Sequence, residues 1–352
     1  MASRDIMPSQ GMFVVFGFGP DALGLLTVRQ SLGSGQANFA VLTKSTLTAR
    51  EIVIRTAQVP DKDVGIRQEA QMMKRLQGNN QEPPSDWPLA WMWGSENDPR
   101  GANSLSFWRY YALGDLNKLI AACRASKIAI PSAFGAEYLV TMFRALDILL
   151  LGPNAPGIDH RDIVATNIFM ERATPDSAHG QELTMLPRLV LGDFGEAKCV
   201  QKPQDLDKAA RTNGIKILGI WKHMLELASQ SKLSATEREC WQHINYDVDA
   251  LLGELGDKGS PCPGPLLRGA LATFTAHQAA TPKTKESLSG FLGLVRSLER
   301  PAEPAKGYGT RYAAMEAAYN TRLPPRSLAT GKVRSNGSPI SDTVEDLVDE
   351  ND

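Results

Sequence analysis

The stretch from Ile158 to Glu196 constrains this chain more than any other. It runs IDHRDIVATNIFM, then a polar segment, then PRLVLGDFGEA. Two polar triplets, His160-Arg161-Asp162 and Asp193-Phe194-Gly195, each stand beside an apolar run of β-like composition, and Asn167 follows the first at a short interval. A fold that accepts this sequence presents one carboxylate and one amide from a first turn and a second carboxylate from another. Either triplet alone is an ordinary turn sequence. Two of them in this order, each flanked by an apolar run, carry far more information.

His160, Arg161, Asp162 and Asn167 fit the pattern HRDxxxxN, and Asp193, Phe194 and Gly195 supply the DFG that follows it. The chain thereby resembles a eukaryotic protein kinase, as a divergent member of that superfamily or a pseudokinase. Phosphoryl transfer needs one carboxylate near the attacking hydroxyl and further oxygen ligands that hold magnesium against nucleotide phosphates. The resemblance implies Asp162 for the first role, Asn167 and Asp193 as metal ligands, and ATP and Mg as cofactors. It also implies an α+β, bilobal fold, with a small β-rich N-lobe carrying one main helix and a larger, mostly helical C-lobe. On this reading residues 1–22 are an N-terminal extension, 23–112 the N-lobe including the hinge, 113–300 the C-lobe and 301–352 a largely disordered tail.

Composition narrows the partners. With 38 Lys and Arg against 39 Asp and Glu, the net charge of −1 gives no electrostatic reason to expect nucleic acid or an acidic membrane surface. The four cysteines, Cys123, Cys199, Cys240 and Cys262, form no CxxC pair and have no histidine at ligand spacing, which suggests neither a disulfide framework nor zinc. No apolar run approaches a membrane span, and MASRDIMPSQ lacks the basic-then-apolar pattern of a secretory signal. The expected setting is intracellular, cytoplasmic or nuclear.

Near the start, MFVVFGFGPDALG reads as a short strand and a Gly/Pro turn. Gly17, Gly19 and Gly24 lack the Lys-Ser/Thr of a phosphate loop, so they are given a structural role. LLTVRQSLGSGQANFAVLTKS is a better candidate, with two β-like runs around Gly33 and Gly35. It resembles the kinase glycine-rich loop, in which backbone N–H groups approach nucleotide phosphates. Asn38 stands where the third glycine belongs and Ala40 where the residue over the adenine usually sits. The next run, REIVIRT, fits the strand that carries the family's lysine and places Arg55 there, with Lys44 on the preceding run as the rival. A guanidinium is wider than an ammonium and crowds the phosphates. GIRQEAQMMKRL has helical spacing and offers Glu69 as the partner.

WPLAWMW reads as a strand between loops, and SLSFWRYYALGDLNKLI as a strand, a hinge containing Tyr111 and a helix, with Arg109 at the hinge entrance. PSAFGAEYLVTMFRALDILLLG reads as a long buried helix with a capping start and a glycine stop. Val164 stands where Ser/Thr-specific relatives usually carry lysine. ERATPDSAHGQELTMLPR, with His179, reads as a surface loop between two strands. After DFG there is no APE triplet, Thr212 is the one hydroxyl residue expected before the next helix, and IKILGIW lacks an aspartate at the matching place. Residues 229–300 read as further helices, and His223, His243 and His277 are given packing or surface roles. The tail ends in the acidic run SDTVEDLVDEND.

The resemblance implies transfer of the γ-phosphoryl group of ATP to protein Ser or Thr hydroxyls. Asp162, Asn167, Arg55 and Glu69 would be catalytic, and Gly33, Gly35, Asn38, Ala40, Arg55, Tyr111 and Asp193 would bind the nucleotide. Two alternatives stay open. One is a pseudokinase that acts as a nucleotide-binding or scaffolding module, so the partner is a protein substrate or a scaffold partner. The other is a kinase of small molecules, suggested by the poorly specified peptide groove.

Overall fold

A computed structural model of the chain describes residues 12–14, 25–34, 38–45, 50–57, 63–78, 80, 82–97, 104–152, 157–172, 186–257 and 263–299. The glycine turn within 15–24, Gly35, the insertion around His179, Cys262 and the tail at 301–352 lie outside these residues. The architecture is mixed α+β, with an antiparallel sheet and one helix against it joined to a mostly helical part.

Strands β1 (Met12–Val14), β2 (Leu25–Ser34), β3 (Asn38–Ser45), β4 (Glu51–Ala57), β5 (Met92–Asn97) and β6 (Ser104–Arg109) form one sheet in the order β1-β2-β3-β4-β6-β5, antiparallel throughout. Alternation along β4 buries Ile52 and Ile54 on one face and turns Val53 and Arg55 to the other. Trp108 of β6 lies opposite Val53, so its ring shares the face of Arg55, and the guanidinium carbon sits 5.7 Å from the ring centroid. Lys44 pairs with Glu51 at the other end of the β3–β4 ladder.

Helix α1 (Asp63–Gln77) packs on β4, β5 and β6. Ile66, Ala70, Met73 and Leu76 recur at helical spacing on its buried face, and Glu69, 1% exposed, stands among them. WPLAWMW is not a strand throughout. Trp87–Trp91 is an extended connection with an isolated bridge between Leu89 and Leu191, and β5 begins only at Met92. Pro88 has no N–H to give a ladder, but its carbonyl accepts the Leu191 N–H at 2.8 Å.

The remainder comprises α2 (Leu116–Ser126), α3 (Ser132–Leu151), α4 (Pro203–Ser229), α5 (Ala235–Gly256), α6 (Pro263–Ala280) and α7 (Lys285–Leu298). Two small antiparallel pairs accompany them: β7 (Ile158–Asp159) with β10 (Lys198–Cys199), and β8 (Ile168–Glu171) with β9 (Arg188–Leu191). α3 is central and almost wholly buried; its Phe134 and Phe143 meet Phe291 of α7 and Phe274 of α6, with ring centroids 5.0 and 5.3 Å apart. Its start differs from the sequence reading, and its stop agrees with it. Pro131 is the N-cap residue and no side chain caps the helix. Gly152 ends it at φ −65°, and a Cβ there would lie 2.5 Å from the Ile148 carbonyl oxygen, so close approach rather than left-handed backbone selects glycine.

α4 starts at Pro203, a residue suited to a first helical turn. Thr212 therefore lies inside this helix, on an exposed position, and Glu196–Lys202 contains no hydroxyl side chain. One apolar core runs from Ala70 and Met73 of α1 through α3 to Val295 of α7, continuous across the junction of sheet and helices. At that junction buried Glu171 of β8 pairs with Arg109 of β6 at 2.9 Å and with Arg188 of β9 at 3.1 Å, and Arg188 also donates to the Trp87 carbonyl at 2.6 Å. Among the described residues no helix is long and apolar enough to cross a membrane.

Candidate functional site

The loop between β7 and β8 carries Asp162 and Asn167. The Asp162 N–H donates to the His160 carbonyl at 2.8 Å, closing a three-residue turn centred on Arg161, whose φ is 66°. A γ-type turn with positive φ at its centre is the rare, strained form. A single 3-10 turn, Ala165–Asn167, leads on into β8. The Asn167 amide nitrogen donates to both the Asp162 carbonyl, at 2.9 Å, and Asp162 Oδ2, at 2.8 Å. The carboxylate is thus oriented by a neutral donor, which holds it without supplying a charge.

The second triplet follows β9. A Cβ on Gly192 would lie 2.6 Å from the Phe169 ring and 3.1 Å from Ala90 Cβ, so only a glycine passes here. Its N–H donates to the Asn167 carbonyl at 2.8 Å, and its carbonyl lies 3.0 Å from His160 Nε2. The His160 and Phe194 rings, both fully buried, are 4.8 Å apart. These contacts fasten the two triplets to each other. Burial holds the His160 imidazole below its ordinary pKa, against the Gly192 carbonyl and the Asp193 and Asp162 charges, which favour the protonated ring. Its Nδ1 is buried and finds no partner, consistent with a neutral ring whose proton is on Nε2.

Asp193, at φ 59°, turns its carboxylate toward the sheet. Arg55 Nη1 donates to Glu69 Oε1 at 2.9 Å and Nη2 to Asp193 Oδ1 at 3.1 Å, while the Phe194 N–H donates to the same Glu69 oxygen at 3.0 Å. One guanidinium bridges a buried and a half-exposed carboxylate. Burial alone would lower the Arg55 pKa, but the charges of Glu69 and Asp193 more than offset it, so the guanidinium stays protonated. Burial pushes the Glu69 carboxyl up, against Arg55 and the Phe194 N–H, which favour the charged form. Of the two cations weighed for this position, Arg55 reaches Glu69, and Lys44 stands opposite Glu51.

The structure brings Arg55, Glu69, Asp162, Asn167 and Asp193 to one junction. On the β2–β3 hairpin, Gly33 pairs with Ala40, Asn38 with Ala57, and Ala40 also with Arg55, which ties the hairpin to the strand of the bridging arginine. Tyr111 is buried, its ring stacked on Phe169 at 5.6 Å and its hydroxyl oxygen accepting the Trp91 N–H at 2.9 Å. Its side chain serves the core, and its carbonyl accepts the Gly114 N–H at 3.1 Å. Val164 is 38% exposed beside Asp162.

Among the described residues no cluster of three His, Cys, Asp or Glu gathers as a metal site. Asn167 and Asp193 nonetheless suit a hard cation in donor type. The Asn167 nitrogen is committed to Asp162, which leaves its amide oxygen to offer, and Asp193 is a half-exposed carboxylate. Arg55 competes for one of the Asp193 oxygens.

Three contributors were not singled out in the sequence. Asp159, Asn213 and Lys216 hold the turn before Asp162, and no spacing in the sequence announces them. No protein-family model matches the chain, and no curated protein matches its sequence.

Proposed function

We propose that the chain is a divergent protein kinase of two lobes, the sheet with α1 forming the smaller and the helices the larger, which binds ATP between them and transfers the γ-phosphoryl group to a Ser or Thr hydroxyl of a protein. The observation that carries this reading is the Asn167 amide bonded to both the carbonyl and the carboxylate of Asp162. Asp162 accepts the hydroxyl proton as the oxygen bonds to the γ-phosphorus and the bond from that phosphorus to the β,γ-bridging oxygen breaks, releasing ADP. Asn167 and Asp193 would hold magnesium, which supplies positive charge at the nucleotide phosphates. Glu69 fixes Arg55, and the β2–β3 hairpin with Gly33 and Asn38 covers the nucleotide.

The test is transfer of label from γ-labelled ATP to the protein itself and to a peptide library. Asp162→Asn is expected to lower the rate by about 10²- to 10⁴-fold with ATP affinity retained. An undiminished rate would remove Asp162 from the mechanism.

A second reading, a pseudokinase scaffold, is favoured by the 3.1 Å contact between Arg55 and Asp193, which occupies an oxygen that the metal would use. Absence of any thermal stabilisation by ATP, with or without magnesium, together with absent transfer, would select it.

A further inference from the structure

We infer that the cationic surface beside Asp162 docks the acidic run 341–352 of this same chain, with Ser341 and Thr343 as acceptor hydroxyls; the inference rests on the function proposed above and names its substrate. Three cations meet near Asp162. The Arg161 side chain is 44% exposed, and its Nε lies 3.4 Å from Asp159 Oδ2. Lys198 of β10 is exposed and stands opposite Asp159 of β7, and residues paired across two strands project from the same face of the ladder. Lys216 of α4 donates through Nζ to the Arg161 carbonyl. The carboxylate among them is already engaged, because Asp159 Oδ1 also accepts from Asn213 Nδ2 at 2.9 Å. Among the described residues neither Lys198 nor Lys216 forms an ion pair. Glu196 is the exposed acid of the segment that carries Lys198, so positive charge remains in excess around Arg161.

Apolar side chains interrupt the charge. Val164, two residues after Asp162, is 38% exposed, and Ile215, next to Lys216, is 41% exposed. Such a surface suits a segment that mixes acids with apolar residues and carries a hydroxyl. The run SDTVEDLVDEND has that composition: Asp342, Glu345 and Asp346 lie beside Ser341 and Thr343, with Val344 and Leu347 interspersed. Charge complementarity of this kind steers a segment into place and disfavours acceptors of the opposite sign. The chain also has the reach. Glu299 pairs with Arg172, just past β8, and the strand path from Arg172 back to Asn167 is about 17 Å. Residues 300–340 lie between Glu299 and the acidic run, and even at a helical rise of ~1.5 Å per residue they would cover about 60 Å. In the transfer step the Ser or Thr oxygen bonds to the γ-phosphorus of ATP as the bond to the β,γ-bridging oxygen breaks. ADP leaves, and the hydroxyl proton goes to Asp162.

The experiment on the full chain has one readout that needs no transfer and one that does. Carbodiimide joins an amine to a carboxylate in contact with it, and peptide mapping by mass spectrometry locates the links. Links from Lys198 or Lys216 to carboxylates of the run 342–352 are expected. They should fall about tenfold in Lys198→Glu, and likewise at about 1 M salt, where charges are screened beyond ~3 Å. An equal mixture of light and isotope-labelled protein should give links within one chain; links between chains would overturn docking in cis. With ATP and magnesium, phosphate is expected on Ser341 or Thr343, about tenfold more slowly in Lys198→Glu and in the double variant Glu345→Gln, Asp346→Asn. An equal fall for Lys198→Glu on a peptide without acidic residues would overturn the inference, as would absence of the links in the parent chain. If links form and no phosphate is transferred, the docking is upheld and the kinase reading fails. If phosphate reaches other hydroxyls and no link forms, the docking fails and the kinase reading stands.

Discussion

The two carboxylates at the proposed centre are held by opposite means. Asp162 is oriented by an amide and a backbone turn, and the carbonyl of the residue before it accepts from Lys216 of α4. Asp193 is held by a full positive charge, since Arg55 bridges it to Glu69. A neutral donor fixes direction without adding charge, whereas a guanidinium competes with any cation for the same oxygen. The half that would handle the proton is preorganised, and the half that would handle metal and phosphate must first give up an ion pair.

The charged half breaks most severely at its buried member. Glu69→Ala would take from the largely buried Arg55 its buried carboxylate partner and leave the Phe194 N–H without its acceptor, for an expected loss of about 3–5 kcal/mol, as when one partner of a buried ion pair is removed. Chemical denaturation checks this, and a loss below about 1 kcal/mol would mean that water replaces the carboxylate. Arg55→Lys sharpens the contrast from the other side. A compact ammonium can keep the contact with Glu69 while releasing Asp193, so magnesium-dependent ATP affinity is expected to rise by about tenfold, or about 1.4 kcal/mol. Calorimetry with and without magnesium measures it; a fall would show that the guanidinium itself binds phosphate.

The smallest effect concerns the residue that joins the two halves. Burial lowers the His160 pKa in the folded chain, so the unfolded chain binds the proton more readily. Its contribution to stability is then complete above the unfolded value near 6.5 and declines as pH falls through that value toward the folded one. Below about pH 6.5 stability should fall by up to about 1.4 kcal/mol per pH unit from this group. Melting curves of His160→Gln beside the parent should show a flatter acid limb, and parallel limbs would contradict the assignment.

What could be read in advance was local. The β-runs around Gly33 and before Arg55, and the helix with Glu69 set among Ile66, Ala70 and Met73, follow from periods of two and 3.6 residues. A carboxylate inside an apolar stripe is itself a sign of a paired charge, and Glu69 is paired. The failures were failures of context. WPLAWMW has strand composition, but Pro88 removes a donor and the segment becomes a connection bonded to β9. Thr212 looked like part of a loop because Gly214 and Asn213 are weak helix formers, yet Trp221, Ile217 and Leu218 bury that stretch as helix. Asn213 and Lys216 meet Asp159 and Arg161 only after the chain has folded back, and no spacing in the sequence encodes such a meeting.

The Glu171 triad has a mechanical consequence. It welds β6, at the edge of the connection between sheet and helices, to the β8–β9 hairpin through two guanidinium groups, with Arg188 also gripping the Trp87 carbonyl of the segment that leads into β5. A rigid rotation of the sheet about that connection would strip partners from a buried carboxylate, at a cost of several kcal/mol. One Glu69 oxygen of α1, which accepts from both Arg55 of β4 and the Phe194 N–H, is a second tie between the sheet and the helical part.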